Sequence, residues 1–258
     1  MKPSEENGVF RASIAAPDLR VADVNYNVSA IAECLEQADQ SGTRLAVFPE
    51  LCITGYTCGD LFTSRVLLEA ALDGLIRLAA TTAYEPVAAL VGLPIEANGR
   101  IYNAAAFIND GDVIGMVPKT YLPNTNEFYE KRWFSSSSEL DVDFLQFGTE
   151  KIPFGTDLLF KYRNLKNCII GVEICEDLWT VEPPSGQAAL AGASILTNLS
   201  ASNEIIGKAT YRKELVKQQS ARCVAAYLYA ASGPGESSTD IVYLGHGLVV
   251  ENGIIFAE

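Results

Sequence analysis

The chain has 258 residues, a formal net charge of −13 and 48% hydrophobic residues, a composition that suits a well-filled globular core. A strongly acidic chain without a Lys/Arg cluster is a poor candidate for binding nucleic acid or an anionic membrane. The single histidine argues against zinc sites and metalloprotease motifs that need several, so we expect no metal site.

The N-terminal sequence and the cysteines bear on location. The first ten residues lack the basic-then-apolar pattern of a signal peptide, and no stretch approaches the ~20 apolar residues that span a bilayer. The six cysteines contain no CxxC pair, which is typical of reduced thiols. We therefore expect a cytoplasmic protein. No Pro/Gly/Ser-rich linker divides the chain, so a single domain is predicted over residues 1–258.

The first half of the chain alternates predicted strands and helices. Val28, Ile31 and Leu35 recur at helical spacing after Asp23, a residue type that caps helices. The turn at residues 109–112, Asn-Asp-Gly-Asp, separates two apolar runs and predicts a hairpin. The predicted elements are strands at 9–16, 45–48, 87–94, 102–108 and 113–117, and helices at 23–40 and 64–82.

The second half continues the pattern after a long stretch that we expect to be irregular. Strands that alternate with helices, together with a hairpin, predict an α/β fold with sheets covered by helices on their outer faces. The predicted elements are strands at 167–174, 194–198, 225–231, 241–246 and 248–250, and helices at 185–191 and 208–223.

Three reactive side chains stand just beyond predicted strands: Glu50, Lys119 and Cys175. Ligand sites of α/β proteins gather at the carboxyl ends of strands. A thiol near neutral pH needs a base to become a good nucleophile, and an ammonium can hold that base and later an oxyanion. Taken alone, each residue type at such a position is more often a solvated turn residue or a small buried side chain, so the prediction of a catalytic site depends on their combination.

In their surroundings these residues resemble the nitrilase (carbon–nitrogen hydrolase) superfamily. The segments FPEL-x-x-x-GY, PK-x-YLP and G-x-E-ICEDLW follow in the order and spacing of that superfamily. More narrowly, the chain is similar to the N-terminal glutaminase domains of glutamine-dependent NAD synthetases. That narrower resemblance rests on FPELCITGYTCGDLF (48–62), KTYLPNTNEFYEKRWF (119–134), GVEICEDLW (171–179), NLSASNEIIGK (198–208) and GPGESSTDIVYLGHG (233–247).

The resemblance implies a four-layer α-β-β-α sandwich and a catalytic Glu-Lys-Cys triad. Glu50 would act as general base, Cys175 as nucleophile, and Lys119 with the backbone N–H of Glu176 would hold the oxyanion of a glutamyl thioester pathway. Glu127, eight residues after Lys119, would be the second glutamate that positions the lysine and the substrate.

The resemblance also implies residues that bind L-glutamine. Glu176 would face the α-ammonium, Ser202 and Lys208 the α-carboxylate, and Tyr56 and Phe128 would line the pocket. Lys208 stands where relatives carry Arg, so a point charge would replace a bidentate fork.

Ammonia released at this site would serve ATP-dependent amidation of deamido-NAD in an NAD synthetase domain, which we expect to be absent from this chain. ATP and Mg²⁺ are expected only for that domain, and no cofactor for this one. The resemblance further implies a homo-oligomer. Two alternatives remain open: a stand-alone amidase or nitrilase for another small amide or nitrile, and a non-catalytic scaffold for a synthetase partner.

Overall fold

The structure, a computed structural model, describes residues 8–84 and 87–258. Seven of the ten N-terminal residues that bear on a signal peptide lie outside that part of the chain. The first of two large sheets has five strands, which lie side by side in this order: Ala12–Ile14 (β1), Leu45–Val47 (β2), Ala88–Ala97 (β3), Arg100–Asn109 (β4) and Asp112–Pro118 (β5).

The second large sheet follows a separate two-stranded hairpin, Phe144–Phe147 (β6) and Glu150–Pro153 (β7). Its six strands also neighbour one another in the order of the chain: Phe160–Lys161 (β8), Ile169–Ile174 (β9), Ile195–Ser200 (β10), Ala226–Ala231 (β11), Gly247–Glu251 (β12) and Ile254–Ala257 (β13).

The α-helices cover the outer faces of these sheets. Asp23 caps the first helix by accepting a hydrogen bond from the N–H of Tyr26 at 3.1 Å, as its position before the apolar repeat predicts. The first two helices share a buried cluster with the five-stranded sheet, and the last two lie against the six-stranded sheet. The α-helices are Val24–Gln40 (α1), Arg65–Thr81 (α2), Pro184–Leu190 (α3) and Lys208–Cys223 (α4).

The two sheets pack face to face. Val47 of β2 shares one buried cluster with Val172 of β9 and Leu199 of β10, so the facing sides of the sheets form a common core. On the opposite side of the first sheet, Phe48 packs with Leu35 of α1. The layers therefore run helix, sheet, sheet, helix, which confirms the predicted four-layer α-β-β-α sandwich.

The strand directions bring the candidate residues to one edge. Strands β1, β2 and β3 are parallel, and β5 returns parallel to β3 because two antiparallel pairings separate them. Strands β9, β10 and β11 are also parallel. Glu50, Lys119 and Cys175 each follow the carboxyl end of such a strand, where ligand sites of α/β folds form.

The prediction of a strand at 241–246 is wrong. The carbonyl of Val242 accepts from the N–H of Glu204 at 2.8 Å, and the N–H of Gly245 donates to the carbonyl of Ser232 at 2.9 Å. The backbone thus binds two separate loops instead of one neighbouring strand, although its alternating apolar pattern is typical of a strand.

Four short strands were not predicted. The hairpin of β6 and β7, and β8, lie in the stretch expected to be irregular. Strand β13 follows the dipeptide Asn252-Gly253, which is a hairpin signal. The strand after it was missed because its apolar residues Ile254 and Phe256 are exposed and do not give the usual pattern of a half-buried strand. Strand β1 is also shorter than the predicted 9–16.

Two features of the described residues bear on membrane and metal binding. None of the helices in this part of the chain is long and apolar enough to cross a membrane. The same residues contain no group of three or more His, Cys, Asp or Glu side chains that could hold a metal ion.

Candidate active site

Glu50 lies in a loop that passes very close to the sheet. The loop follows β2, and a Cβ added to Gly92 of β3 would lie 2.2 Å from the backbone nitrogen of Leu51. Only glycine permits this approach. The Glu50 side chain is buried, and its Oε2 accepts a hydrogen bond from the N–H of Ala201 at 2.8 Å. The base is therefore held from the second sheet as well as from the first.

Lys119 lies immediately after β5 and is fully buried. Its backbone N–H donates to the carbonyl of Asn103 at 2.8 Å. Its Nζ lies 2.6 Å from Oε1 of Glu50 and 2.7 Å from Oε1 of Glu130. One ammonium thus bridges two buried carboxylates, and together the three groups carry one net negative charge when all are ionised.

Cys175 begins the 3₁₀ turn Cys175–Trp179 directly after β9. Its φ is +47°, a left-handed conformation that is uncommon for a non-glycine residue and is often found at functional sites. The Cys175 N–H donates to Oδ1 of Asn198 at 3.1 Å. A side-chain amide on the neighbouring strand therefore supports the strained backbone.

The Cys175 thiol shares its surroundings with Glu50 and Lys119. Burial raises the pKa of this thiol, Glu50 raises it further, and Lys119 lowers it. The N–H of Ala201, which donates to Glu50, also lowers the pKa of Cys175, so the same N–H faces both side chains. The thiol is protonated at rest, and a base must remove its proton before it can attack.

The electrostatics of the other two groups follow from the same cluster. Burial by itself lowers the pKa of Lys119, but the carboxylates of Glu130 and Glu50 outweigh that effect, so its pKa is raised and it stays an ammonium. Burial raises the pKa of Glu130, while Lys119 opposes the rise. The lysine is therefore a permanent cation beside the thiol.

The assignment of Glu127 as the glutamate that positions Lys119 is wrong. Glu130 contacts the lysine, and the same Oε1 accepts from the hydroxyl of Tyr56 at 2.7 Å. The Glu127 side chain instead accepts from the amide of Asn203. Spacing in the sequence could not decide between two glutamates that lie three residues apart in one irregular segment. Burial decides between them in the structure, because Glu130 is buried and Glu127 is not.

Four of the predicted substrate-binding residues lie around the same region. The rings of Tyr56 and Phe128 are 6.3 Å apart between centroids, and the Nζ of Lys208 lies 5.8 Å from the Phe128 ring centroid. Burial raises the pKa of Glu176, and Lys119 and Lys208 lower it, so this carboxylate lies within reach of both cations. These aromatic and charged groups suit a small zwitterion.

The fifth predicted residue, Ser202, is buried and accepts a hydrogen bond from Nη2 of Arg212 at 3.3 Å. Arg212 is fully buried, and its Nη1 lies 3.0 Å from Oε2 of Glu204. Arg212 thus holds the loop that follows β10 from beneath. The hydroxyl of Tyr56 is likewise committed to Glu130, which leaves its ring for the pocket.

Sequence reasoning missed two amides that the structure places at the site. Asn103 donates to Oε1 of Glu50 at 2.6 Å, and Asn198 accepts from the backbone of Cys175. Both are buried on central strands of the two sheets. A buried amide must find a hydrogen-bond partner, and that was the available signal.

One of two cavities lies beside the cluster of Glu50, Lys119 and Cys175, and the other lies away from it. A cleft of about 200 Å³ beside it is lined by Tyr56, Glu127 and Trp133 among others. A larger groove of about 660 Å³ lies at the opposite ends of the strands, near Phe10 and Cys168, away from the three reactive residues. Only the smaller cleft shares a residue, Tyr56, with the cluster around Lys119.

The arrangement brings together a thiol, a carboxylate base and a fixed cation. Acyl transfer to a cysteine requires a nucleophile, a base near it and a stabiliser of developing negative charge. The backbone N–H of Glu176 lies in the first turn of its 3₁₀ helix, where N–H groups have no partner within the helix, and can serve as a second donor.

Comparisons with known proteins agree with this geometry. The model of the carbon-nitrogen hydrolase family matches residues 11–258. The glutamine-dependent NAD(+) synthetase of Mycobacterium tuberculosis is 40% identical over 253 residues, 98% of this chain and 37% of that protein. The enzyme of the same name from Thermotoga maritima is 31% identical over 243 residues, 94% of this chain and 38% of the relative. The chain thus spans well under half the length of these relatives.

Solved structures give the same picture. A glutamine-dependent NAD(+) synthetase from Cytophaga hutchinsonii superimposes with a TM-score of 0.86 at 31% identity, covering 96% of this chain and 40% of that one. An amidase of the nitrilase superfamily from Nesterenkonia has a TM-score of 0.77 at 17% identity, covering 96% of this chain and 86% of that chain. The second likeness supports the fold alone.

Proposed function

Because the chain belongs to the carbon–nitrogen hydrolase family, we propose that it is a glutamine amidohydrolase that releases ammonia from the side-chain amide of L-glutamine. The observation that carries the proposal is the contact between the Lys119 ammonium and the Glu50 carboxylate, 2.6 Å apart and buried beside the Cys175 thiol. A fixed cation and a base at one thiol suit attack on a carboxamide.

The proposed reaction begins with proton transfer from the Cys175 thiol to Glu50. The sulfur attacks the amide carbon, and Lys119 and the N–H of Glu176 stabilise the oxyanion. Glu50 then gives its proton to the leaving nitrogen, which departs as ammonia and leaves a glutamyl thioester. Glu50 next takes a proton from water, whose oxygen attacks the thioester carbon, and the thiol recovers the proton as glutamate leaves.

The proposed recognition of glutamine uses charges at both ends of its backbone. Glu176 would pair with the α-ammonium, and Lys208 and Ser202 would receive the α-carboxylate. Tyr56 and Phe128 would bound the methylene chain. An amide that lacks these α-charges leaves buried polar groups unpaired and should be rejected.

The relatives named NAD(+) synthetases supply the proposed destination of the ammonia. We propose that it passes to a synthetase domain that amidates deamido-NAD to NAD, where ATP and Mg²⁺ would act and this chain would need no cofactor. Assembly as a homo-oligomer in the cytoplasm belongs to the same proposal.

Ammonia release from L-glutamine tests the proposal. Wild type should turn over and Cys175→Ala should not. Cys168→Ala should match wild type, because that buried thiol directly precedes β9 and Cys175 follows the opposite end of the same strand. Glutaramide and simple nitriles should be poor substrates. If wild type releases no ammonia from glutamine, even with a synthetase partner, ATP and deamido-NAD present, the proposal is wrong.

A further inference from the structure

One buried carboxylate outside the triad joins the two segments that carry its lysine and its cysteine. Asp177 lies two residues after Cys175 and is almost fully buried. Its Oδ1 accepts from the N–H groups of Thr120 at 3.1 Å and Tyr121 at 2.8 Å. Its Oδ2 accepts from the N–H of Ile174 at 2.9 Å. Each of the two segments thus donates to a different oxygen of one rigid group.

The N–H donors to Asp177 lie directly beside two of the three reactive residues. Thr120 and Tyr121 directly follow Lys119 at the end of the first sheet, and Ile174 directly precedes Cys175 at the end of the second. No backbone pairing joins β5 to β9, because these strands belong to different sheets. A carboxylate that accepts from both strand ends therefore fixes a distance that neither sheet fixes by itself.

The hydrogen bonds of Asp177 also support a strained backbone at Cys175. Cys175 has a left-handed φ of +47°, a conformation that costs free energy and persists only where the surroundings hold it. The Oδ2 bond to Ile174 closes a short ring around the strained residue. Burial raises the pKa of Asp177, while the N–H groups of Ile174 and Tyr121 oppose the rise.

We propose that Asp177 is a positioning residue that sets the separation of the Cys175 sulfur and the Lys119 ammonium. Its hydrogen bonds go to backbone N–H groups next to Lys119 and Cys175, so it acts on the two side chains through the backbone that carries them. A misplacement of about 1 Å in such a site can cost on the order of a hundredfold in rate. The effect should therefore appear in the reactivity of Cys175 and in kcat more than in KM.

Glu173 offers a matched control. It lies on β9, four residues before Asp177. It is equally buried, and it accepts from the N–H of Ser185 at 2.8 Å and from the hydroxyl of Tyr227. Those partners belong to α3 and β11, away from Lys119. Glu173 raises the pKa of Asp177 through its charge and also contacts the side chain of Asn198. Glu173→Gln nevertheless leaves the three N–H donors of Asp177 in place, so it perturbs a nearby buried carboxylate without removing a hydrogen bond of the link.

The test compares Asp177→Asn, Asp177→Ser and Glu173→Gln with wild type in the full chain. Alkylation of Cys175 by iodoacetamide is followed by mass spectrometry of its peptide, well below each variant's unfolding temperature, so that only folded protein is compared. The second Asp177 variant keeps the test available if the first does not fold. Glutamine turnover, which depends on the proposed function, is measured in parallel.

We expect both Asp177 variants to slow alkylation of Cys175 at least tenfold and to lower kcat with KM changed less than threefold. Glu173→Gln should leave the alkylation rate within about twofold of wild type. Equal effects of the Asp177 and Glu173 variants, or alkylation at the wild-type rate in the Asp177 variants, would refute the positioning role. Slowed alkylation in a protein that does not hydrolyse glutamine would refute the proposed function and leave this role standing.

Discussion

Removing the Lys119 ammonium should leave two buried carboxylates facing each other without compensation. Its Nζ is 2.6 Å from Glu50 and 2.7 Å from Glu130, and all three side chains are at most 1% exposed. Breaking a buried ion pair by removing one partner costs about 3–5 kcal/mol. Lys119→Met, which keeps the unbranched apolar part of the side chain and removes the ammonium, should lower the free energy of unfolding by at least that amount at pH 7.5.

The Glu130→Gln substitution should then change the free energy of unfolding by different amounts in wild type and in Lys119→Met. In wild type it removes the excess negative charge of the cluster but leaves an amide in a site where Oε2 of Glu130 has no hydrogen-bond partner, so we expect a change below about 1 kcal/mol. In Lys119→Met it removes one of two stranded carboxylates and should restore about 2 kcal/mol.

Urea unfolding of wild type, both single variants and the double variant measures this coupling, provided that the m-values agree. Lys217→Met is the control, because Lys217 and Glu214 form a pair of similar length, 2.9 Å, that is 35% and 66% exposed and should be worth less than about 1 kcal/mol. Equal destabilisation by Glu130→Gln in both backgrounds would show that the three groups do not form one electrostatic unit.

Three further predictions concern individual residues. Burial raises the pKa of Glu236 from 4.5 to about 7, so the folded protein binds this proton more tightly than the unfolded chain. The Glu236 carboxyl should therefore lower the free energy of unfolding by about 2 kcal/mol between pH 5 and pH 7.5. Because burial also raises the pKa values of Glu130 and Asp177, urea unfolding at the two pH values should show a loss about 2 kcal/mol smaller in Glu236→Gln than in wild type. Lys208→Met should raise KM for glutamine about tenfold in steady-state kinetics, with kcat little changed. Lys213 lies on the same helix but pairs with Glu258, so Lys213→Met should leave KM unchanged. Similar effects of the two substitutions on KM would exclude Lys208 from the pocket. Glu130→Gln should lower kcat more than tenfold and Glu127→Gln less than threefold, and the reverse order would restore the assignment made from the sequence.

Elements with strong local signals could be predicted from the amino-acid sequence alone. Helix α1 begins after its cap at Asp23, and α4 has the bounds that its pattern predicts. Periodicity and capping act within a few residues, so they can be read without knowledge of the rest of the chain. The motifs around Glu50, Lys119 and Cys175 likewise identified the family and the layered fold, because long segments in a fixed order are specific.

Which groups meet at the site depends on the tertiary structure. Glu130 rather than Glu127 holds Lys119, since burial and direction select between glutamates that spacing cannot distinguish. Asn103 contacts Glu50, and Asp177 contacts Tyr121, across separations of 53 and 56 residues in the sequence. Such contacts depend on how two sheets pack, and no local pattern records that packing. The electrostatics of the buried cluster follow from the same packing, because desolvation is a property of the whole fold and not of the residues that titrate.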